Sequence, residues 1–332
     1  MRAMRFGLVK RADIAQIVLA RIGSSVMAEQ LRAHGVLITF RRPEALADHL
    51  RRLVEQTSTL TTLLVVDNDD DPNIRSIVEA HPSAAGSVQY LGVDDNPGPA
   101  GGIASGISTV LEREHEDDWL VLLDDDDPPP RHDTLETLGC VATELAGQDP
   151  SLGGVGLWGA RLERGGRLRA ADGTTPEPVA YLPGGACPHY RISALRKAGG
   201  PDPALFFGFD DLDLGLALER AGAGLWSSGL AREHGWTSMV ENRRVSAAVS
   251  PATWRRYYSL RNLVLVLRRD DQDASALWMS LVAGIAKPIA NFPLSPRRSW
   301  QNLRLNLLAL WHGWTGRTGK HLDPLDLPGW LR

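Results

Sequence analysis

A chain of 332 residues is long enough to bury a large hydrophobic core, and its 43% apolar and 23% charged residues are typical of an ordinary soluble protein. Its two cysteines, Cys140 and Cys187, are too few for a disulfide scaffold or a four-cysteine zinc site, and they suit a reducing compartment. No apolar run reaches the roughly 18 residues that a transmembrane helix needs. We therefore expect a cytoplasmic protein.

The net charge of −4 conceals an uneven distribution. From Arg255 onward there are 12 Lys and Arg residues against 5 Asp and Glu, whereas the rest of the chain has 24 against 35. The acidic body argues against a nucleic-acid partner. The basic tail allows a peripheral contact with the anionic inner face of the cell membrane.

Strand and helix patterns alternate along the first half of the chain, after an N-terminal extension that we place at residues 1–30. This alternation predicts an α/β fold with a doubly wound, mostly parallel sheet. The elements predicted first are the strands Val36–Phe40, Leu63–Val66 and Val88–Leu91, a helix that begins at Pro43, and a helix over Ile74–Ala80.

A glycine-rich stretch, Asn96–Gly102, opens the next predicted helix, which runs to about Glu114. Glycines at this position either let the backbone approach an anionic ligand or simply permit a tight turn. The spacing is not G-x-G-x-x-G, and no clear acidic ligand for a ribose follows a second strand. A dinucleotide-dependent dehydrogenase is therefore disfavoured.

The feature around which the chain is organised is a buried strand, Trp119–Leu123, that runs into Asp124–Asp127 and then three prolines. Because successive side chains of an extended backbone point to opposite faces, Asp124 and Asp126 can converge while Asp125 points elsewhere. Ligands of open α/β sheets bind beyond the carboxyl ends of strands, and Mg²⁺ and Mn²⁺ prefer oxygen ligands. The alternative is a solvated acidic turn.

A second acidic cluster follows the predicted helices Thr134–Leu145 and Ile192–Lys197 and the loop-rich segment between them. Asp210 and Asp211 come directly after Phe209, at the start of a helix that ends near Gly222. They can act as helix-capping charges, which the helix dipole favours. In a partly dry cleft, one of them can instead have its pKa raised to that of a general base.

The remaining sequence contains a strand near Gly224–Ser228, a lone histidine at His234, and a tail of amphipathic helices from residue 251 onward. The segment Pro296–Lys320 combines arginines with tryptophans and leucines. Such a tail can pack against the body, or it can lie in a membrane interface. We place the main domain at residues 31–250 and the helical, basic region at 251–332.

Taken together, the motifs resemble those of family 2 glycosyltransferases with the GT-A fold, and within that group the bacterial galactofuranosyltransferases. The resemblance covers residues 36–269. Its motifs are Thr39-Phe40-Arg41-Arg42-Pro43, Val65-Val66-Asp67-Asn68, Asn96-x-Gly98-x-Ala100-Gly101-Gly102, Asp124-Asp125-Asp126, Phe209-Asp210-Asp211-x-Asp213-x-Gly215, His234-Gly235-Trp236 and Tyr257-Tyr258-x-x-Arg261-Asn262.

The resemblance implies a Rossmann-like nucleotide-binding half and a role for each matching residue. Asp211 would be the catalytic base, and Mn²⁺ or Mg²⁺ would be held by Asp124, Asp126 and His234. The nucleotide sugar would contact Thr39, Arg42, Asp67, Asn96 and Asp125. The acceptor would contact Phe209, Asp210 and Trp236.

The implied reaction is inverting transfer of a sugar from a nucleotide diphosphate to a hydroxyl of a glycan or of a lipid-linked acceptor. UDP-galactofuranose is the preferred donor, and dTDP-rhamnose is the alternative. A sugar-phosphate nucleotidyltransferase is a competing hypothesis, although Thr39–Pro43 is a poor match to its phosphate loop. A non-catalytic protein that binds sugar nucleotides is a third hypothesis, against which the intact acidic residues argue.

Overall fold

The computed structural model describes residues 31–82, 87–235 and 253–331. The predicted N-terminal extension at residues 1–30 and the predicted acceptor contact Trp236 lie outside these residues, as does the predicted domain boundary at residue 250.

The described residues form strands β1 (Ala33–Thr39), β2 (Thr62–Asp67), β3 (Val88–Gly92), β4 (Trp119–Asp124), β5 (Leu152–Gly156), β6 (Ala160–Glu163), β7 (Arg167–Ala170), β8 (Glu177–Val179), β9 (His189–Arg191) and β10 (Gly224–Ser227). The centre of the fold is an eight-stranded sheet with the order β3-β2-β1-β4-β9-β5-β10-β8. The pairs β1–β2, β1–β4, β2–β3 and β5–β10 are parallel, which confirms the predicted doubly wound, mostly parallel arrangement. A separate hairpin joins β6 to β7.

Helices connect and cover these strands. They are α1 (Pro43–Val54), α2 (Pro72–Glu79), α3 (Gly98–Arg113), α4 (Thr134–Gln148), α5 (Ile192–Ala198), α6 (Asp210–Arg220), α7 (Trp254–Arg269), α8 (Asp273–Met279), a π-helical segment (Ser280–Ala286), α9 (Lys287–Ala290) and α10 (Pro296–Thr315). Proline occupies the first turn of α1, α2 and α10, where its missing N–H leaves no intrahelical bond unmade.

The strand register places the predicted site residues at one edge of the sheet. Thr39 at the end of β1 pairs with Asp67 at the end of β2, and Ile38 pairs with Asp124 at the end of β4. Because these three strands are parallel, their carboxyl ends meet at the same edge.

Two short strands of the main sheet were not predicted from the sequence. β9 runs antiparallel between β4 and β5, and β8 pairs antiparallel with β10. Both strands are three residues long and lie in a segment rich in glycine and proline, so neither shows a readable alternation of apolar residues.

The tail shares a hydrophobic core with the sheet. A single buried cluster contains Leu37 and Val121 from the strands together with Tyr258 and Val264 from α7 and Leu305 from α10. The predicted C-terminal helices are therefore confirmed, and they pack on the body. In the described part of the chain, no helix combines the length and the apolar character needed to cross a bilayer.

Candidate active site

The acidic turn after β4 brings three carboxylates together. Asp124, Asp125 and Asp126 each offer an oxygen atom within 4.8 Å of the others. Asp124 and Asp126 are exposed residues whereas Asp125 is buried. Asp124 ends β4, and the residues after it form a turn in which the Asp127 amide donates to the Asp124 carbonyl at 3.1 Å. Asp124 and Asp126 therefore lie on the open side of this cluster.

The buried carboxylate of Asp125 is held by Thr39, the last residue of β1, and by Arg42, which directly precedes α1. The Thr39 hydroxyl donates to Asp125 Oδ2 at 2.7 Å, and Arg42 Nη1 donates to Asp125 Oδ1 at 3.0 Å. The same guanidinium nitrogen also donates to Asp126. Thr39, Arg42 and Asp125 thus form one connected group beside the acidic cluster.

The electrostatics of this turn suit a cation. Desolvation raises the pKa of Asp124 to about 7, and repulsion from Asp126, Asp125 and Asp127 contributes further. Arg42 opposes this rise but does not cancel it. Adjacent carboxylates that are mutually destabilised, with oxygen atoms close enough to share one ligand, fit a divalent cation that prefers oxygen.

Asp67 and Asn96 serve local structure in this conformation. Asp67 is buried, and its carboxylate accepts hydrogen bonds from the amides of Asp69 and Asp71, at 3.2 and 2.6 Å, and from the Tyr90 hydroxyl at 2.9 Å. The Asn96 side chain accepts from the Gly98 amide at 3.2 Å, at the start of α3. Their roles in nucleotide binding stay predictions.

The glycines at the start of α3 are explained by contacts within the protein. Gly98 has φ +73°, and a Cβ atom there would overlap the Phe206 carbonyl oxygen. A Cβ atom at Gly102 would overlap the side chain of Asn68. The sequence left open an approach to an anionic ligand or a tight turn, and the structure adds a third reason for these glycines, which is close packing within the protein.

The second acidic group begins α6. Phe209, which precedes the helix, is in the left-handed region with φ +64°, and Asp210 and Asp211 occupy the first turn. Desolvation, followed by the charge of Asp210, raises the pKa of Asp211. Asp211 does not belong to either group of potential metal ligands in the described residues. A carboxyl group with a raised pKa that binds no metal is suited to accept a proton.

One short segment contacts both α6 and the acidic cluster. Gly215 of α6 packs against the backbone at residues 180 and 181, where a Cβ atom on this glycine would lie 3.1 Å from Tyr181 Cα. Three residues further on, a Cβ atom at Gly184 would lie 3.7 Å from Asp124 Cβ. Three residues span at most about 11 Å, so α6 and the acidic cluster lie against the same short stretch of chain.

His234 lies apart from the carboxylates in this structure. It is buried, its Nδ1 lies 3.1 Å from the Thr134 hydroxyl oxygen, and desolvation lowers its pKa. It does not belong to the group of ligand atoms at Asp124, Asp125 and Asp126. Its role as a metal ligand stays a prediction.

The position of His49 beneath the acidic turn was difficult to predict from the sequence. This α1 histidine is fully buried close to the backbone of Asp124 and Asp125, and burial lowers its pKa to about 4. It follows Leu46 by three positions and therefore occupies the apolar face of α1. A polar residue at an apolar position was the only available signal.

A further cluster of potential ligands lies at the other end of the sheet. His34, near the start of β1, places its Nε2 atom 3.2 Å from Asp118 and 3.4 Å from Glu114, and its Nδ1 atom lies 2.8 Å from the Thr62 hydroxyl. Hydrogen bonds and ion pairs account for all of these contacts, so this cluster belongs to the structural framework.

With this geometry in place, comparison with known proteins identifies the family. Residues 36–138 match the sequence model of glycosyl transferase family 2. This part of the chain belongs to glycosyltransferase family 2. The match spans β1 to α4 and includes the acidic cluster, Thr39, Arg42, Asp67 and Asn96.

Two curated relatives are similar to a longer part of the chain. The galactofuranosyltransferase GlfT1 of Mycolicibacterium smegmatis is 34% identical over 203 residues, which cover 56% of this chain and 65% of that protein. GlfT1 of Mycobacterium tuberculosis (strain CDC 1551 / Oshkosh) is 34% identical over 202 residues, which cover 56% and 64%. The chain thus spans slightly less than two thirds of the relatives that it matches.

A solved structure shows the fold. The mannosyltransferase PcManGT from Pyrobaculum calidifontis, in complex with GDP-Man and Mn²⁺, superimposes with a TM-score of 0.50 at 15% sequence identity, covering 92% of this chain and 95% of that one. The predicted GT-A fold with C-terminal helices is confirmed.

Proposed function

We propose that this protein is a divalent-cation-dependent glycosyltransferase that moves a sugar, with inversion, from a nucleotide diphosphate donor to an acceptor hydroxyl. The observation that carries the proposal is the pairing of a three-carboxylate cluster at the end of β4 with a separate carboxylate at the start of α6. Membership of family 2 supports the same conclusion.

The acidic cluster provides the donor side of the site. Asp124 and Asp126 would hold Mn²⁺ or Mg²⁺, and His234 would join them if the loop that carries it moves. A cation bound there neutralises negative charge on the departing diphosphate. Thr39 and Arg42 fix the buried Asp125, so the cluster keeps its orientation when the donor binds.

Asp211 supplies the acceptor side. Its carboxylate accepts the proton of the acceptor hydroxyl while the hydroxyl oxygen forms a bond to the anomeric carbon. The bond between that carbon and the diphosphate oxygen breaks at the same time, and the nucleoside diphosphate leaves with the electron pair. Phe209 and Asp210, which flank the base, would contact the acceptor, as would Trp236.

The proposed donor is UDP-galactofuranose, with dTDP-rhamnose as the alternative. The similarity to two galactofuranosyltransferases supports the first choice. A nucleotidyltransferase would instead release diphosphate from a nucleoside triphosphate and a sugar phosphate.

The proposed acceptor is lipid-linked, and the tail would bring the enzyme to the membrane. Nine of the eleven large hydrophobic side chains that are exposed in the described residues lie between positions 277 and 311. No Asp or Glu occurs between Ala274 and Leu322, where there are six Lys and Arg residues. Exposed tryptophan and leucine in a segment whose charged residues are all basic match the chemistry of an anionic bilayer surface.

We call these nine exposed residues the apolar surface of the tail. They are Leu277, Trp278, Leu281, Ile289, Phe292, Leu294, Trp300, Leu307 and Trp311. Within α10, Trp300, Leu307 and Trp311 are spaced by seven and four residues, which places them on one face of the helix.

Calorimetry with UDP tests the donor side of the proposal. UDP should bind the wild-type protein in the presence of Mn²⁺ and much more weakly in EDTA. Asp124→Asn should weaken the Mn²⁺-dependent affinity at least about tenfold, since even changes around metal ligands typically cost that much. Asp127→Asn makes the same charge change at the residue directly after the cluster. It is the control and should retain most of the affinity.

A donor screen tests the substrate. A ligand that binds only the folded state raises the melting temperature, so the true donor should stabilise the protein most when Mn²⁺ is present. Equal UDP binding with and without Mn²⁺, or turnover of a nucleoside triphosphate and sugar phosphate, would contradict the proposal.

A further inference from the structure

The motif Tyr257-Tyr258-x-x-Arg261-Asn262 contains a buried polar pair that the proposed chemistry does not use. Arg261 and Asn262 lie in the middle of α7, and both are 0% exposed. Burying a guanidinium and an amide is unfavourable unless their donors are satisfied. Their partners therefore indicate what the pair is for.

Arg261 binds backbone carbonyl groups on two separate segments. Its Nη2 atom donates to the Leu205 carbonyl at 2.7 Å, and its Nη1 atom donates to the Gly319 carbonyl at 2.6 Å. Its Nε atom donates to Asn262 Oδ1 at 2.8 Å, which fixes the neighbouring amide.

Asn262 directs its amide nitrogen at three carbonyl groups of one loop. Nδ2 lies 2.9 Å from the oxygen of Leu205, 3.0 Å from that of Phe207 and 2.8 Å from that of Gly208. Together with the Arg261 bond to Leu205, these are four contacts of hydrogen-bond length between side-chain donors and residues 205–208, of which the three from Asn262 share two hydrogens. Asp210 and Asp211 follow this loop after Phe209.

The loop needs such support because its backbone is strained. Phe206 has φ 65° and ψ −63°, and Phe209 has φ 64°. These conformations are uncommon for residues with a side chain, and they persist only where the surroundings fix them. The other side of the loop rests on α3, where the Ala100 amide donates to the Phe206 carbonyl at 3.3 Å.

We propose that Arg261 and Asn262 are positioning residues that hold the 205–208 loop against α3 and thereby aim Asp211 at the acceptor hydroxyl. This inference rests on the proposed function, since it gives the pair its role in the same reaction. Neither residue needs to touch donor or acceptor. The pair sets the geometry of the base through the loop that leads to it.

Asn262→Asp is the test, because it preserves shape while replacing the donor amide with a carboxylate that the three carbonyl oxygens repel. Asn306→Asp is the matched control. Asn306 is also 0% exposed, accepts from an α7 arginine (Arg256 Nε, 3.0 Å) and donates to a backbone carbonyl (Gly284, 2.8 Å). It contacts the π-helical segment and not the loop before Asp210.

Two measurements separate positioning from general destabilisation. In hydrogen exchange, amides of residues 204–212 should exchange faster in Asn262→Asp and remain as in wild type in Asn306→Asp. In transfer assays, kcat of Asn262→Asp should fall by about 100-fold, the typical effect of a small misplacement of a catalytic group. Its Mn²⁺-dependent affinity for UDP should be unchanged, and Asn306→Asp should keep the wild-type kcat.

Other results would overturn the inference. It fails if Asn262→Asp retains kcat, if both variants lose kcat alike, or if the 204–212 amides exchange as in wild type. A wild-type protein that binds UDP and Mn²⁺ but transfers no sugar would contradict the proposed function instead. The exchange comparison would then still decide whether the pair holds the loop.

Discussion

Asp124 and Asp211 are both carboxylates with raised pKa values, but their surroundings suit opposite tasks. Three neighbouring aspartates surround Asp124, so a bound cation relieves their repulsion. Asp211 has one acidic neighbour that raises its pKa, Asp210, and stands at a helix N-terminus, where the dipole favours its charged form. The first site gains from a metal ion, and the second is free to exchange a proton.

Asp211→Asn should abolish transfer while leaving nucleotide and metal binding nearly intact. An amide keeps the shape of the side chain but cannot accept the proton of the acceptor, and general-base catalysis contributes typically about 10²–10⁴-fold. Steady-state assays and calorimetry measure the two effects. Glu219→Gln, the same change at the exposed far end of α6, is the control, and wild-type turnover in Asp211→Asn would refute the assignment.

The pH dependence should report the environment of Asp211. A base acts when deprotonated, so kcat/KM should fall as pH decreases through its raised pKa. Asp210→Asn removes the like charge that helps raise this pKa, and it should therefore shift the acidic limb of the profile to lower pH. If the acidic limb of the pH profile does not move in Asp210→Asn, a group other than Asp211 titrates there.

Sequence reasoning succeeded for residues whose position follows from strand ends. The family resemblance assigned Thr39, Asp67 and Asp124 to the donor side of one site, and the structure brings them to one edge of the sheet because parallel strands end there. Sequence reasoning could not foresee that Arg42 would bridge Asp125 and Asp126, because these residues are more than 80 positions apart and no local pattern links them. The position of His49 could not be predicted either, because it lies on the apolar face of α1 among residues that only indicate packing.

At the scale of elements, the start of α3 and the loop before α6 depend on each other. Gly98 leaves space for the Phe206 carbonyl, and Arg261 and Asn262 hold the same loop from the opposite side. The helix was predicted from its glycines and apolar residues. Its contact with a loop a hundred residues later requires the assembled fold.

Gly98→Ala should destabilise the protein more than an equivalent change elsewhere. Gly316, at the end of α10, has φ +72° with no atom within 4 Å of its missing Cβ, so Gly316→Ala measures backbone strain alone, about 1–2 kcal/mol. Gly98→Ala adds a clash with Phe206, and overpacking typically costs a further 1–3 kcal/mol. Urea denaturation measures the free energy of unfolding of both variants. If both lose the same amount of this free energy, the loop at Phe206 moves to accommodate the new methyl group at little cost.

On the scale of the whole molecule, the tail divides its side chains between two environments. Tyr258, Val264 and Leu305 join the core of the sheet, whereas the apolar surface of the tail faces solvent. The interpretation in which the tail packs on the body therefore holds for its buried side, and the membrane-interface interpretation stays a prediction for its exposed side. The packed side anchors the helices on the body and leaves the exposed side available to a bilayer.

Leu294→Asp should weaken binding to vesicles that contain an anionic phospholipid. Leu294 is 73% exposed between two helices of the tail, and a carboxylate there opposes both insertion and attraction to a negative surface. Val54→Asp is the matched control, since Val54 is 64% exposed at the end of α1 and the charge change is identical. Neither surface change should alter stability by more than about 0.5 kcal/mol.

Co-sedimentation with vesicles of phosphatidylcholine, alone and mixed with phosphatidylglycerol, measures the effect. Wild type and Val54→Asp should bind the mixed vesicles more strongly than the neutral ones, and added salt should reduce that difference, because screening weakens exposed charges. Leu294→Asp should bind both weakly. Concentration-dependent self-association without vesicle binding would instead assign the apolar surface of the tail to contact between copies of this chain.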